Sequence, residues 1–289
     1  MNGVFEKDLM RCPVCGAALC LSEDGKTVLC PARHAFDVAR QGYVNLLTAD
    51  RRASRAPGDS PEMIAARTRF LSGGFYEPFS DAVCRVLGAV LPDAPVVADA
   101  GCGEGYYTVR MARALYEAGK QPTVFGFDLA KSACAHAAVL AREVPVPMQF
   151  AVASLFSMPL ADGSCDAVMN LFAPCAEEEF ARVLSQGGYL LEAVPAERHL
   201  FEMKEILYDT PYENEVRRDE FRLFNPVSVT PVRYTFRPGE RMADLLLMTP
   251  YFWRTSKEGK ARLAAAEDVT VTAAFDLLLY QRKETFDPD

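Results

Sequence analysis

An α/β fold with a mostly parallel central sheet, carrying a small metal-binding module near its N-terminus, is the architecture this sequence predicts. Three features predict it. From Pro95 onward, short apolar, β-branched runs alternate with helical stretches, the pattern of parallel strands covered by helices on both faces. Three glycines, Gly101, Gly103 and Gly105, crowd the first strand-to-helix junction of that region. Two pairs of metal-ligating side chains lie between Cys12 and His34.

The whole chain sets the bounds. Single cores rarely grow much past about 250 residues, so a chain of 289 residues is expected to hold one large domain and a smaller attachment. The expected division is a metal-binding domain over 1–48, a basic linker with helices over 49–92, and the main domain over 93–289. Half the residues are hydrophobic and 24% are charged, which argues against a long disordered tail. No apolar run approaches the roughly 20 residues that span a bilayer. The opening MNGVFEKDLMRC lacks the apolar core of a signal peptide, so a cytoplasmic protein without a membrane partner is expected. A net charge of −8 excludes non-specific coating of nucleic acid, which needs clustered cations. Residues 33 to 69 depart from that balance with seven arginines against four carboxylates. Within them Arg51, Arg52, Arg55 and Arg67 form a candidate RNA-facing patch; the alternative is an ordinary solvated face.

The metal site follows from spacing. Cys12 and Cys15 are separated by two residues, Cys30 and His34 by three, and fourteen residues lie between the pairs. Four soft or borderline ligands from two knuckles are what tetrahedral zinc requires, and full protein ligation makes the ion structural. Cys20, between the knuckles, is read as a bystander. A unit this small has no core of its own, so the metal is expected to supply much of its stability.

After the polar, basic stretch RRASRAPGDSPEM, Asp59 or Ser60 can cap a helix whose first turn holds Pro61 and Glu62. A second helix is expected over 78–91. Strands are expected near 95–100, 123–127, 147–152, 165–171 and 188–194, with helices near 105–118, 131–141 and 177–184. Strands near 230–237 and 269–282, around helices near 239–248 and 257–266, would complete a seven-stranded sheet.

The first strand, VVADA, runs into Gly101-Cys102-Gly103-Glu104-Gly105 and then a helix. Glycines there let backbone approach a ligand where a Cβ would collide. A dinucleotide enzyme would show G-x-G-x-x-G; the spacing here is G-x-G-x-G, preceded by Asp99. That form resembles the first motif of class I methyltransferases, Rossmann-like proteins that bind S-adenosylmethionine at this loop. Asp128 ends the second strand, where a ribose-binding acid belongs. Ser154 follows the third strand, where such enzymes contact adenine. Asp162 and Asp166 are read as turn and strand-entry residues.

The segments CPARHAFDVARQGYVNLL, PGDSPEM and FAPC together resemble the bacterial 23S ribosomal RNA guanine-N1 methyltransferases. That family includes the form that modifies a hairpin in Gram-negative ribosomes and a related macrolide-resistance form. The resemblance, from Cys12 to DLLLYQR, implies a zinc module that helps hold RNA, a fused class I domain that binds S-adenosylmethionine, and a homodimer. It also implies that Tyr76 and His199 close over the cofactor, alongside Tyr107 and Thr108. Methylation at guanine N1 requires loss of the N1 proton; Asp59 is the candidate base, with Arg67 as its phosphate or carboxylate partner. Asn170 to Pro174 is the candidate base pocket. Two other readings stay open: a class I enzyme acting on a small molecule, and a zinc-containing RNA scaffold with a degenerate fold.

Overall fold

The computed structural model describes residues 8–48, 59–216 and 220–284. The N-terminal module is a three-stranded antiparallel ribbon, β1 (Cys20–Leu21), β2 (Thr27–Leu29) and β3 (Ala35–Asp37). A fourth short strand, β4 (Val44–Asn45), leaves the ribbon and pairs in parallel with β7 (Met148–Val152) of the main sheet. Helices α1 (Pro61–Ser72) and α2 (Glu77–Val90) follow. Ser60 caps α1, its hydroxyl accepting from Met63 N at 3.3 Å. Asp59 is thereby left for another partner.

The main domain alternates as expected: β5 (Val96–Ala100), α3 (Tyr106–Glu117), β6 (Thr123–Asp128), α4 (Lys131–Leu140), then β7, β8 (Cys165–Leu171), α5 (Glu177–Val183) and β9 (Leu184–Pro195). Beyond β9 come α6 (Phe201–Leu207), β10 (Phe224–Phe236), α7 (Met242–Leu247), α8 (Tyr251–Arg254), α9 (Lys257–Ala265) and β11 (Val271–Arg282). The strand order is β10-β11-β9-β8-β5-β6-β7-β4. Strands β4 to β9 are mutually parallel, while β11 runs antiparallel to both of its neighbours. Successive strands run outward on opposite sides of β5, so the order switches there, and ligands bind such sheets outside the carboxyl ends of the strands at the switch.

Three details depart from the sequence expectation. The sheet has eight strands rather than seven, because the zinc module contributes β4. Strand β10 begins at Phe224, well before the expected 230, with Pro226 and Pro231 inside it. Proline is tolerated there because β10 is the sheet edge and its register slips between Pro226 and Ser228. Helices α6 and α8 are too short to carry a readable period.

Side chains alternate between two cores. On one face Val97, Val124, Ala167, Met169 and Leu191 pack with α1 to α4 and with α6, α7 and α9. On the other, Ala98, Ala100, Phe125, Phe127, Val168 and Leu190 meet α5 and, notably, ribbon residues Met10, Leu19, Val28 and Val44. The helix α5 has only seven residues. The ribbon therefore supplies much of the cover on this face. Arg11 N donates to Pro159 O at 2.9 Å and Ala161 N to Leu9 O at 2.8 Å, stitching it down.

Candidate cofactor and metal sites

Each ligand pair of the metal module sits on a tight turn: Gly16 N returns to Cys12 O at 2.9 Å, and Arg33 N to Cys30 O at 2.8 Å. Cys12 Sγ lies 3.6 Å from His34 Nδ1, Cys30 Sγ 3.4 Å from the same nitrogen, and Cys15 Sγ 3.6 Å from Cys30 Sγ. All four ligand atoms fall within 4.8 Å of one another. With Zn–S near 2.3 Å and Zn–N near 2.0 Å, the edges of a tetrahedron are about 3.6 to 3.8 Å. The residues present fit zinc, and no position is left for water. Cys20 is exposed on β1 and outside the group.

The glycine loop lies at the carboxyl end of β5. Gly101, Gly103 and Gly105 all have positive φ, +91°, +53° and +88°, a region that side chains with a Cβ avoid. Contact as well as conformation demands glycine at two of them. A Cβ on Gly101 would stand 2.6 Å from Ala173 Cβ, and one on Gly105 2.7 Å from Ala137 Cβ. The first contact presses the cofactor loop against the loop that follows β8; the second packs α3 onto α4.

Four acids surround this loop. Asp128 fastens it: Oδ2 accepts from Gly103 N at 3.1 Å and Oδ1 from Ala130 N at 2.8 Å. Burial raises its carboxyl above the ordinary carboxylate range. Asp99, fully enclosed under the loop, accepts from Thr108 Oγ1 at 2.5 Å, and burial pushes its carboxyl up to about 7. Glu104 is buried with Oε2 lacking any hydrogen-bond partner. Arg67 Nη1 lies 3.6 Å from that oxygen while Nη2 pairs with Asp59 Oδ2. Burial works against the guanidinium charge, but Glu104 and Asp59 outweigh it and hold Arg67 firmly protonated. Of the two roles expected for Arg67, it takes that of carboxylate partner here. A cofactor with an ammonium and a carboxylate on its tail fits this set, with an orphaned acid and a guanidinium facing one glycine cradle.

The other expected contacts lie at varying depth. Tyr107 meets Phe79 edge-on at 5.5 Å at the start of α3. Tyr76 is buried one layer behind, edge-on to Phe70, Phe236 and Phe275. The His199 ring lies tilted against that of Phe275, centroids 4.2 Å apart, and accepts from Ala274 N through Nδ1 at 3.2 Å; burial drives it down to about 3, so it is neutral. Ser154 is half-buried just past β7, where its hydroxyl accepts from Phe156 N at 3.2 Å. Asp162 pairs with Arg182 at 2.6 Å and Asp166 accepts from Val96 N at 2.8 Å, so both are structural. Arg51, Arg52 and Arg55 lie outside the described residues.

Beyond β8 the chain enters the expected base pocket. Asn170 is buried; Nδ2 donates to Pro174 O at 3.3 Å and to Glu192 Oε1 at 3.4 Å, leaving Oδ1 without a partner. Phe172, 48% exposed, is one of five non-glycine residues with positive φ among those described, at +63°. A bulky residue held in that region stores strain, which concentrates at functional sites. Sequence reading missed both Glu192 and the conformation of Phe172. Glu192 meets Asn170 only through the β8–β9 register, which no local motif reports.

Two family models match the chain: a zinc ribbon described as "RlmA, N-terminal" over residues 10–55, and "Methyltransferase domain" over 97–188. Ribbon, glycine loop, acid-tipped second strand and sheet order together define a zinc-containing class I S-adenosylmethionine-dependent methyltransferase. A Micromonospora griseorubida protein named as a 23S rRNA (guanine-N1)-methyltransferase is 36% identical, covering 94% of this chain and 97% of its own. A Bacillus subtilis (strain 168) protein of the same description is 30% identical over 96% and 99%. The Streptomyces fradiae 23S rRNA (guanine(748)-N1)-methyltransferase is 33% identical over 92% and 95%. The chain belongs to the 23S rRNA (guanine-N1)-methyltransferase family.

Proposed function

We propose that the protein methylates N1 of a guanine in a hairpin loop of 23S ribosomal RNA. The observation that carries this reading is the amide of Asn170. Pro174 O and Glu192 Oε1 both accept from its Nδ2, so Oδ1 is left as a buried acceptor without a donor. Guanine presents N1–H and N2–H donors on its pairing edge, whereas adenine presents an acceptor at N1, so an acceptor here favours guanine. A looped-out base is the substrate such a pocket can reach, because unstacking is least costly outside a duplex. Phe172 offers a ring on which that base can stack.

Bound S-adenosylmethionine supplies an electrophilic sulfonium methyl. The glycine loop, with Gly101, Gly103 and Gly105, would hold its tail, with Arg67 toward the carboxylate and Glu104 toward the ammonium. Asp128 would take the ribose, and Ser154 would border the adenine. Tyr107, Thr108 and Asp99 support this cradle from the start of α3, with Tyr76 and His199 behind. The pocket aligns N1 with the methyl and excludes water, and alignment alone supplies several kcal/mol. Asp59, one of whose oxygens Arg67 steadies, would take the proton that N1 gives up when it accepts the methyl. The zinc module and Arg51, Arg52 and Arg55 hold the RNA, and two copies of the chain shape the cleft. No helix among the described residues is long and apolar enough to cross a membrane.

Primer extension on 23S rRNA from a strain lacking the gene tests the reading, since N1 methylation blocks pairing. A new stop at a guanine that requires both the purified protein and S-adenosylmethionine is expected. Methyl label entering only small molecules, with no stop, would overturn it. Asp59→Asn methylating at the wild-type rate across pH 6 to 9 (roughly the span in which base catalysis is read) would remove Asp59 from the mechanism.

A further inference from the structure

The segment between β10 and β11 carries a feature that neither the zinc module nor the pocket explains. Trp253, the only tryptophan of the chain, is 72% exposed, the most exposed large hydrophobic side chain among the described residues. It is not on a loose loop. Its neighbours pin it: Tyr251 is buried and its hydroxyl donates to Asn214 Oδ1 at 3.0 Å, while Thr255 Oγ1 donates to Tyr251 O at 2.8 Å. Phe252 meets Trp253 edge-on at 5.2 Å, and Lys260 Nζ lies 3.7 Å above the Phe252 ring.

Cations flank Trp253 along the chain. Arg254 and Lys257 are exposed and have no carboxylate partner among the described residues, whereas Arg262 is engaged by Asp209 and by the carbonyls of Ile206 and Leu207. On a chain of net charge −8, an exposed aromatic flanked by unpaired cations is a local exception. Rings interleaved with cations are the surface on which single-stranded nucleic acid stacks.

Its position in the sheet gives the exception a purpose. Phe236 at the end of β10 pairs with Val271 at the start of β11, and Phe275 of β11 pairs with Pro195 at the end of β9. Helices α7 to α9 therefore project from the same edge at which β5, β6 and β8 deliver the glycine loop, Asp128 and Asn170. Arg69 of α1 grips Asp244 of α7 through Nε at 3.1 Å and Nη2 at 2.5 Å, and Arg67, two residues away, faces Glu104. The zinc module reaches the sheet at the opposite end, through β4 beside β7.

We propose that the Trp253 face, with Arg254, Lys257 and Lys260, is a second RNA-contact surface that stacks an unpaired nucleotide flanking the target, opposite the zinc module across the catalytic edge. It rests on the RNA-substrate reading above. A second copy of the chain is a poorer occupant, because a two-fold contact sets a patch against itself and would bring Arg254 and Lys257 toward their own equivalents.

The lone tryptophan makes the test direct. Its emission, excited on the red edge, is followed as deproteinised 23S rRNA from a strain lacking the gene is added, while filter retention reports total binding separately. Emission should be quenched in step with binding. Trp253→Ala should raise the KM for RNA roughly tenfold, the usual loss of one base stack, with kcat and melting temperature unchanged. Replacing Arg254 and Lys257 by Ala should lower the slope of log affinity against log salt by about 1.4, the value for two single-strand phosphates. Normal RNA binding with unchanged emission and a wild-type KM in Trp253→Ala would overturn the proposal and leave the substrate reading intact. Emission that changes with protein concentration alone, tracking a dimer in sedimentation, would also overturn it. Absence of RNA binding by filter retention would overturn both.

Discussion

Gly101 and Ala173 touch so closely that a Cβ on the glycine would stand 2.6 Å from that of the alanine. The glycine loop after β5 and the loop after β8 are thereby packed as one body. Its missing Cβ lets the loop after β8 close on the glycine loop, and under the proposed function the same gap admits the cofactor tail.

Gly101→Ala should consequently harm both partners. Its φ of +91° strains any Cβ, and relief of the clash must shift residues 172–174. A misplacement of about 1 Å can cost about a hundredfold in rate, so kcat/KM should fall by about that factor, with weaker cofactor binding by calorimetry. A variant that binds and methylates normally would show that the two loops are independent.

Phe172 separates function from stability. Both Phe172→Ala and Phe172→Gly remove the ring and should lower kcat/KM for RNA about tenfold or more, with cofactor affinity unchanged. Glycine alone relieves the left-handed backbone, a difference of about 1 to 2 kcal/mol. Urea unfolding should therefore find the glycine variant the more stable of the two. Equal stabilities would show that the loop stores no strain at this residue.

Zinc should matter far from RNA. Cys12 and Cys30 are themselves part of the core that covers Phe125, Phe127 and Val168. Structural zinc contributes on the order of 10 kcal/mol to folding, comparable with the whole stability of a domain. Chelation, or Cys30→Ser, should lower the melting temperature of the entire chain and weaken binding of S-adenosylmethionine. An unchanged main transition after metal loss would mean that the sheet does not depend on the ribbon.

Two buried groups should give stability opposite pH slopes. Asp99 titrates at about 7 in the fold against an ordinary 3.8, so the native state keeps a proton that the unfolded chain has released. Stability from this group is greatest below about pH 4 and is lost as pH rises to about 7. His199 is held near 3 against an ordinary 6.5; its contribution is complete above about 6.5 and is lost as pH falls toward 3. Unfolding free energies across this range, compared with Asp99→Asn and with His199→Gln, should show differences that shrink in opposite directions. Parallel differences would contradict the burial of one group or the other.

Local chemistry was open to reading before any folding. The Cys12–Cys15 and Cys30–His34 knuckles, the glycine loop and Asp128 are short segments whose ligand atoms are close because the chain places them close. Contacts that cross strands were not. Asn170 and Glu192 are neighbours by sheet register, and Arg67 reaches Glu104 by the docking of α1. The prolines of β10 concealed its first residues, from Phe224 to Val229, and its edge position makes them tolerable.

The sequence by itself determined the reaction class, the metal and the alternation of strands and helices from β5 to β9, since each is written in residues a few positions apart. Only the tertiary structure decided that the ribbon lends a strand to the sheet and covers its second face. It also decided that Oδ1 of Asn170 is left without a donor, and that the helices carrying Trp253 leave the sheet at the edge where the glycine loop lies. Those outcomes depend on which surfaces must be buried together, and burial is a property of the whole packed chain.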